Sequence, residues 1–101
     1  YGTQTERALE GLHVDKLFLA ADGFDTDKGI TTHYEPEALL NRLMCRAARE
    51  VIVVADCSKF GRVCLHRILD TSGVAKLVTD TGISAATRDE LGRRGVEVIV
   101  A

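Results

Sequence analysis

The sequence predicts an α/β domain: an open, mostly parallel sheet of about four strands, flanked by helices. Three observations point to it. Short apolar runs rich in β-branched residues recur at "KLFLAA" (16–21), "VIVVAD" (51–56), "KLVTD" (76–80) and "VEVIVA" (96–101). Each is too short for a typical helix and fits a strand. Segments with helical spacing lie between them, and the first three runs lead directly into Asp22, Asp56 and Asp80.

Taken in order, residues 3–12 suggest a first helix ending near Gly11, and 16–21 the first strand. The stretch "AADGFDTDKGITTHYEPE" then crowds five carboxylates and one lysine into a polar loop. In "EPEALLNRLMCRAARE", Leu39, Leu40, Leu43, Met44, Ala47 and Ala48 repeat at helical spacing, and Pro36 suits a first helical turn. The run at 51–56 is apolar enough to be buried on both faces of a sheet. Within 57–74, "VCLHRIL" reads equally as a strand or an irregular extended piece. A last helix is expected over 84–94, with Ser84 as N-cap and Gly95 ending it before the final strand. Right-handed crossovers between parallel strands would set helices on both faces of the sheet.

One domain is the most that 101 residues support, and its interior is small. A composition of 46% apolar and 28% charged residues belongs to a globular protein and argues against disorder. The formal charge of −2 provides no basic stripe to release counterions from a phosphate backbone, so this chain alone is not expected to hold DNA. Cys45, Cys57 and Cys64 are odd in number and form no CxxC pair, which favours free thiols and a cytoplasmic setting. No apolar run approaches the roughly 20 residues of a membrane span. The opening "YGTQTERALEGL" has no initiator methionine and reads as the start of a fragment or processed chain.

The strand ends hold the candidate chemistry. In an open parallel sheet the ligand crevice lies beyond the carboxyl ends of the strands, so Asp22, Asp56 and Asp80 are expected at one edge. The plainer explanation for each is that Asp is a good turn former and helix cap. In "ADCSKFG", Ser58 and Gly61 suit a turn that aims backbone amides and the Lys59 ammonium at an anion. Lys28, in "DTDKG", reads equally as a solvated loop charge. Glu37 falls in the first turn of the long helix, where the helix dipole favours a carboxylate. Carboxylates accept hydrogen bonds from sugar hydroxyls, and ammonium groups with amides hold phosphate, so the set fits a phosphorylated sugar or polyol.

Other chemistries fit less well. A calcium loop needs a bidentate Glu at its twelfth position, which is His33 counted from Asp22 and Pro36 counted from Asp25. Magnesium on Asp22, Asp25 and Asp56 lacks an accompanying GxxxxGK[ST] loop, and GxGxxG is missing too, so neither a metal nor a cofactor is expected. Nothing in the spacing enforces a pair between Cys57 and His13, His33 or His66.

Three motifs in this order, "DKLFLAADGFDTDKGITT", then Glu37, Arg42 and Met44, then "VIVVADCSKFGR", resemble the effector-binding domain of DeoR-type transcriptional regulators. The closing "KLVTDTGIS…LGRRGVEVIVA" is similar to that family's ending, so the resemblance covers nearly the whole chain. It implies a fold similar to ribose 5-phosphate isomerase and a phosphorylated sugar or sugar-alcohol effector. By the resemblance, Asp22 and Asp25, around Gly23, match carboxylates lining the sugar site; Glu37 matches the isomerases' base, and Lys59 a lysine at the ligand. With Asp56 and Ser58 these form the expected ligand set, and Lys28 and Asp80 are further candidates. Asn41 stands where the family usually has a lysine.

The resemblance also implies that residues 1–101 are one effector-sensing fragment. The helix-turn-helix domain, through which the whole protein would meet operator DNA, and the early part of the sensor with its phosphate loop would lie upstream. The expected function is ligand sensing by a repressor that forms a homo-oligomer, with no catalysis. Two alternatives stand beside it: a sugar-phosphate isomerase with Glu37 as base, and an oligomerisation module.

Overall fold

The computed structural model describes residues 3–101. The element order is α1 (Thr3–Glu10), β1 (Val14–Ala20), β2 (Gly23–Asp25), β3 (Gly29–Thr32), α2 (Glu35–Ala47), β4 (Ala48–Val54), β5 (His66–Leu69), β6 (Lys76–Thr79), α3 (Ala85–Arg93) and β7 (Glu97–Val100). Strands β1, β4, β6 and β7 form a four-stranded sheet in that order, and every pair is parallel. All four strands expected from the apolar runs are present, and the α/β architecture is the one the sequence predicts.

Burial alternates with a period of two along β6 and β7, while Val51, Ile52 and Val53 of the central strand β4 are buried in succession. Leu19, Val53 and Leu77 occupy one layer of the sheet and are 3%, 0% and 0% exposed. They join Ala38 of α2 and Leu91 of α3 in a single core. Both crossover helices therefore cover the same face. The strand order explains this: each strand is added on the same side of its predecessor, so right-handed crossovers return over one face only. The expectation of helices on both faces differs from this arrangement. The opposite face presents Phe18, Val54 and Ile99 at 66%, 45% and 40% exposure.

A second sheet, unforeseen as such, arises from the acidic loop. Its order is β2-β3-β5, with both pairs antiparallel. "VCLHRIL" thus resolves into a strand over its last four residues. Strand β3, "GITT", is buried at every position, and its threonines are 2% and 1% exposed. Thr31 is accommodated because its Oγ1 accepts the Cys64 backbone N–H at 2.9 Å. Gly29, which opens β3, has φ +83°, and a Cβ there would collide with the Leu69 carbonyl of β5. The backbone needs glycine twice over at this position.

The helices follow their sequence signals. Pro36 sits in the first turn of α2, with Glu35 and Glu37 at the same end. Ser84 caps α3, its Oγ accepting the Thr87 N–H at 3.1 Å, and Gly95 follows the helix with φ +87°.

The two faces predict opposite responses to truncation. Leu77→Ala is expected to cost about 2–5 kcal/mol because it opens a cavity in the core. Phe18→Ala, on the uncovered face, is expected to cost less than about 1 kcal/mol in this chain. Urea denaturation of both variants checks this, and equal losses would mean that the Phe18 face is packed.

Candidate functional site

Strand register builds the site. Ala20 pairs with Val54, and Val54 with Val78, so residues two positions further on emerge together beyond the strand ends. Those residues are Asp22, Asp56 and Asp80. The three lie along one edge of the sheet in the order of β1, β4 and β6.

Each carboxylate has a different local partner. Asp22 Oδ2 accepts the Thr32 hydroxyl at 2.7 Å, and His33 Nε2 stands 3.7 Å from the same oxygen. The Thr32 hydroxyl is also 3.5 Å from Glu37 Oε2. This joins the ends of β1, β3 and α2 in one cluster. The hairpin of β2 and β3 makes the junction by returning the chain to the edge it left at Asp22.

Asp56 caps a 3-10 turn over Cys57–Lys59, accepting the Ser58 N–H at 2.9 Å and the Ser58 hydroxyl. The Ser58 hydroxyl, then the Ser58 amide, hold the Asp56 carboxyl below the usual range, and the charges of Lys59 and Arg62 add to this. Asp80 accepts N–H groups from Gly82 at 2.9 Å and Cys57 at 3.4 Å, pinning the turn after β6 to the turn after β4. A hydrogen bond with Asp80, followed by burial, pushes the Cys57 thiol up, so this cysteine is not an activated nucleophile. The Lys59 turn is also tied to the second sheet, because Gly61 N–H donates to the Phe24 carbonyl at 2.9 Å. The Phe24 and Phe60 rings meet edge to face at 5.9 Å.

The remaining expected residues have other surroundings. Gly23 is buried, and a Cβ there would fall 2.5 Å from the Arg62 carbonyl and 2.7 Å from Thr31 Oγ1. Close backbone packing accounts for this glycine. The Asp25 carboxylate accepts the N–H groups of Asp27 and Lys28 at 3.0 and 2.9 Å, closing the hairpin turn. That turn is held by Thr71, whose hydroxyl donates to the Thr26 carbonyl at 2.9 Å and lies 3.2 Å from the Asp25 carbonyl. It is also held by Arg94, which reaches Asp27 at 2.6 Å. Thr71 and Arg94 precede the beginnings of β6 and β7, so the turn points away from the carboxylate edge. Lys28 is exposed on it. The structure therefore brings together Asp22, Glu37, Asp56, Ser58, Lys59 and Asp80 along one edge, and carries Asp25 and Lys28 to the far end of the hairpin.

Thr32 escaped sequence reasoning. Its only signal was the β-branched "ITT" after Gly29, a strand cue hidden in a segment dominated by charge. Among the described residues no group of three or more His, Cys, Asp or Glu is arranged to hold a metal ion.

Residues 1–81 match the family described as "DeoR C terminal sensor domain". The chain belongs to that family. The match includes the strands that carry Asp22 and Asp56 and ends just past Asp80. The chain is 47% identical over 100 residues to a protein of Escherichia coli O157:H7 named "Putative aga operon transcriptional repressor", covering 99% of this chain and 37% of that one. It is 34% identical to the HTH-type transcriptional regulator GlpR of Haloferax volcanii, covering 97% of this chain and 38% of that protein. It is 33% identical to the HTH-type transcriptional repressor GlcR of Bacillus subtilis (strain 168), covering 99% and 38%. The chain thus spans a little over a third of the length of these curated relatives. Relatives of this DeoR sensor domain carry the names of regulators, not of enzymes.

Removing the Ser58 hydroxyl tests the electrostatics of the turn. Because the folded Asp56 pKa is depressed, its contribution to stability is present above the unfolded-state pKa and is lost as pH falls through the folded value. Ser58→Ala is expected to move the Asp56 pKa upward, toward the ordinary carboxylate value, and to shrink that acid-dependent contribution. Titration of the Asp56 carboxyl by NMR checks it; an unchanged midpoint would refute the assignment to Ser58.

Proposed function

We propose that this chain is the ligand-sensing part of a DeoR-type transcriptional regulator, and that a phosphorylated sugar or polyol binds along its carboxylate edge. The observation that carries the proposal is the juxtaposition, on neighbouring strands, of an acceptor cluster with a cationic turn. Asp22, Thr32 and Glu37 form the cluster, and Lys59 stands in the turn capped by Asp56. Acceptors at one end suit hydroxyls, and the ammonium with turn amides suits a phosphate at the other.

In the whole protein the ligand would bias an equilibrium between DNA-competent and DNA-released forms. The coupling is the ligand's differential affinity for the two states. DNA would be met through a helix-turn-helix domain outside this chain, consistent with the names of the relatives and with the chain's net charge of −2. We place the regulator in the cytoplasm, in keeping with three cysteines that are all free. No helix among the described residues is long and apolar enough to cross a membrane. Self-association belongs to the same reading, since Phe18, Val54 and Ile99 offer apolar surface to a second copy. The isomerase alternative is disfavoured by the relatives' names.

Calorimetric titration of the full-length protein with ribose 5-phosphate, fructose 6-phosphate and glucitol 6-phosphate tests the proposal. At least one is expected to bind, and Lys59→Ala is expected to weaken it about tenfold or more, the worth of one hydrogen bond to a charged group. Absence of heat with all three at millimolar concentration would sink the proposal.

A further inference from the structure

We infer that Thr32 is a positioning residue that sets Asp22 and Glu37 as a pair of acceptors for two neighbouring hydroxyls of the ligand; this rests on the reading of that edge as the ligand site. Thr32 closes β3, paired across the ladder with His66, and is 1% exposed. A β-branched side chain on a strand in that setting has a restricted χ1, so its hydroxyl is a fixed peg rather than a swinging group.

The peg has one proton to give. Its oxygen lies 2.7 Å from Asp22 Oδ2 and 3.5 Å from Glu37 Oε2, so the proton goes to Asp22. An O–H to carboxylate bond of that length is of the strong, charge-assisted kind. It fixes Asp22 by one oxygen, on a side chain that is 42% exposed. Glu37 is held near the same oxygen without receiving the proton. Among the described residues no donor reaches Asp22 Oδ1 or Glu37 Oε1 within hydrogen-bonding distance.

Two neighbouring carboxylates with surplus lone pairs repel an anion and call for donors. A ligand with hydroxyls on adjacent carbons supplies one to each. The same repulsion orients the ligand: its phosphate is driven from this end toward Lys59, which follows the adjacent strand. Thr32 thereby sets both the spacing of the acceptors and the direction in which the ligand lies.

The test is calorimetry on the full-length protein, with ribose 5-phosphate, fructose 6-phosphate and glucitol 6-phosphate as hydroxylated probes and inorganic phosphate as control. The variants are Thr32→Val, Thr32→Ser, Asp22→Asn and the Thr32→Val/Asp22→Asn double. Thr32→Val is expected to weaken the best hydroxylated probe about tenfold, while Thr32→Ser stays within about threefold of the parent. The double variant should bind no more weakly than Asp22→Asn alone, because both changes remove one coupled unit. Inorganic phosphate should bind Thr32→Val and the parent alike. Thr32→Ala, which adds no methyl against Asp22, repeats the comparison if Thr32→Val unfolds. Normal binding by the hydroxyl-free variants, or strictly additive losses with Asp22→Asn, overturns the inference and leaves the site standing. Asp22→Asn binding like the parent overturns the site, and the inference with it.

Discussion

The parallel pairing of β1, β4 and β6 with their carboxyl ends in register is the constraint on which the rest depends. Ala20, Val54 and Val78 stand side by side, so whatever follows each strand by two residues is delivered to a common edge. A one-residue slip in either pairing would exchange the buried and exposed faces and displace one aspartate from the row. The core enforces the register, because Leu19, Val53 and Leu77 must all face α2 and α3. The site is thus positioned by packing well behind it, and a cavity at Leu77 would be felt at Asp80, three residues on.

The large sheet was legible because its strands are apolar and short, a pattern helices of this size cannot share. The small sheet was hidden for a physical reason. β2 and β3 hold three and four residues, and they are set among Asp, Thr and Lys, whose polarity reads as solvated loop. What makes such residues strand-forming is tertiary. Thr31 and Thr32 can be buried because Cys64 and Asp22 satisfy their hydroxyls, and both partners are remote in sequence. Asp25 shows the converse. Three positions from Asp22 and chemically identical, it closes a turn at the other end of the hairpin. Spacing alone could not separate the two, because the separation depends on a hairpin that spacing did not announce.

Among the described residues, the same strand order that gathers the aspartates also leaves one face of the sheet without a crossover helix. Parallel sheets are ordinarily covered on both sides, and the apolar residues Phe18, Val54 and Ile99 keep the character of a covered face. Ala20, Val54 and Val78, the strand-end residues of that face, lie immediately behind the carboxylate edge. Anything that packs there borders the candidate site, so under the proposed function a second copy on this face and a ligand at the edge would be close enough to influence each other. The coupling needs no long path through the core.

A row of carboxylates in register is electrostatically costly unless each finds donors, and each does so differently. Asp80 is engaged on both oxygens by Gly82 and Cys57 amides. Asp56 is engaged by Ser58 through amide and hydroxyl, on the same oxygen, with Lys59 and Arg62 nearby. These two hold together the turns that frame the edge. Asp22 receives one hydroxyl on one oxygen, and Glu37 only shares the reach of that hydroxyl. Among the described residues Asp22 and Asp56 each keep one carboxylate oxygen without a donor, so unused acceptor capacity lies at the ends of both β1 and β4, and the cationic turn follows the second. Capping, the plainer explanation for each aspartate in the sequence, is what Asp56 and Asp80 show, since both hold the turns that frame the edge, whereas Asp22 and Glu37 meet at the Thr32 hydroxyl.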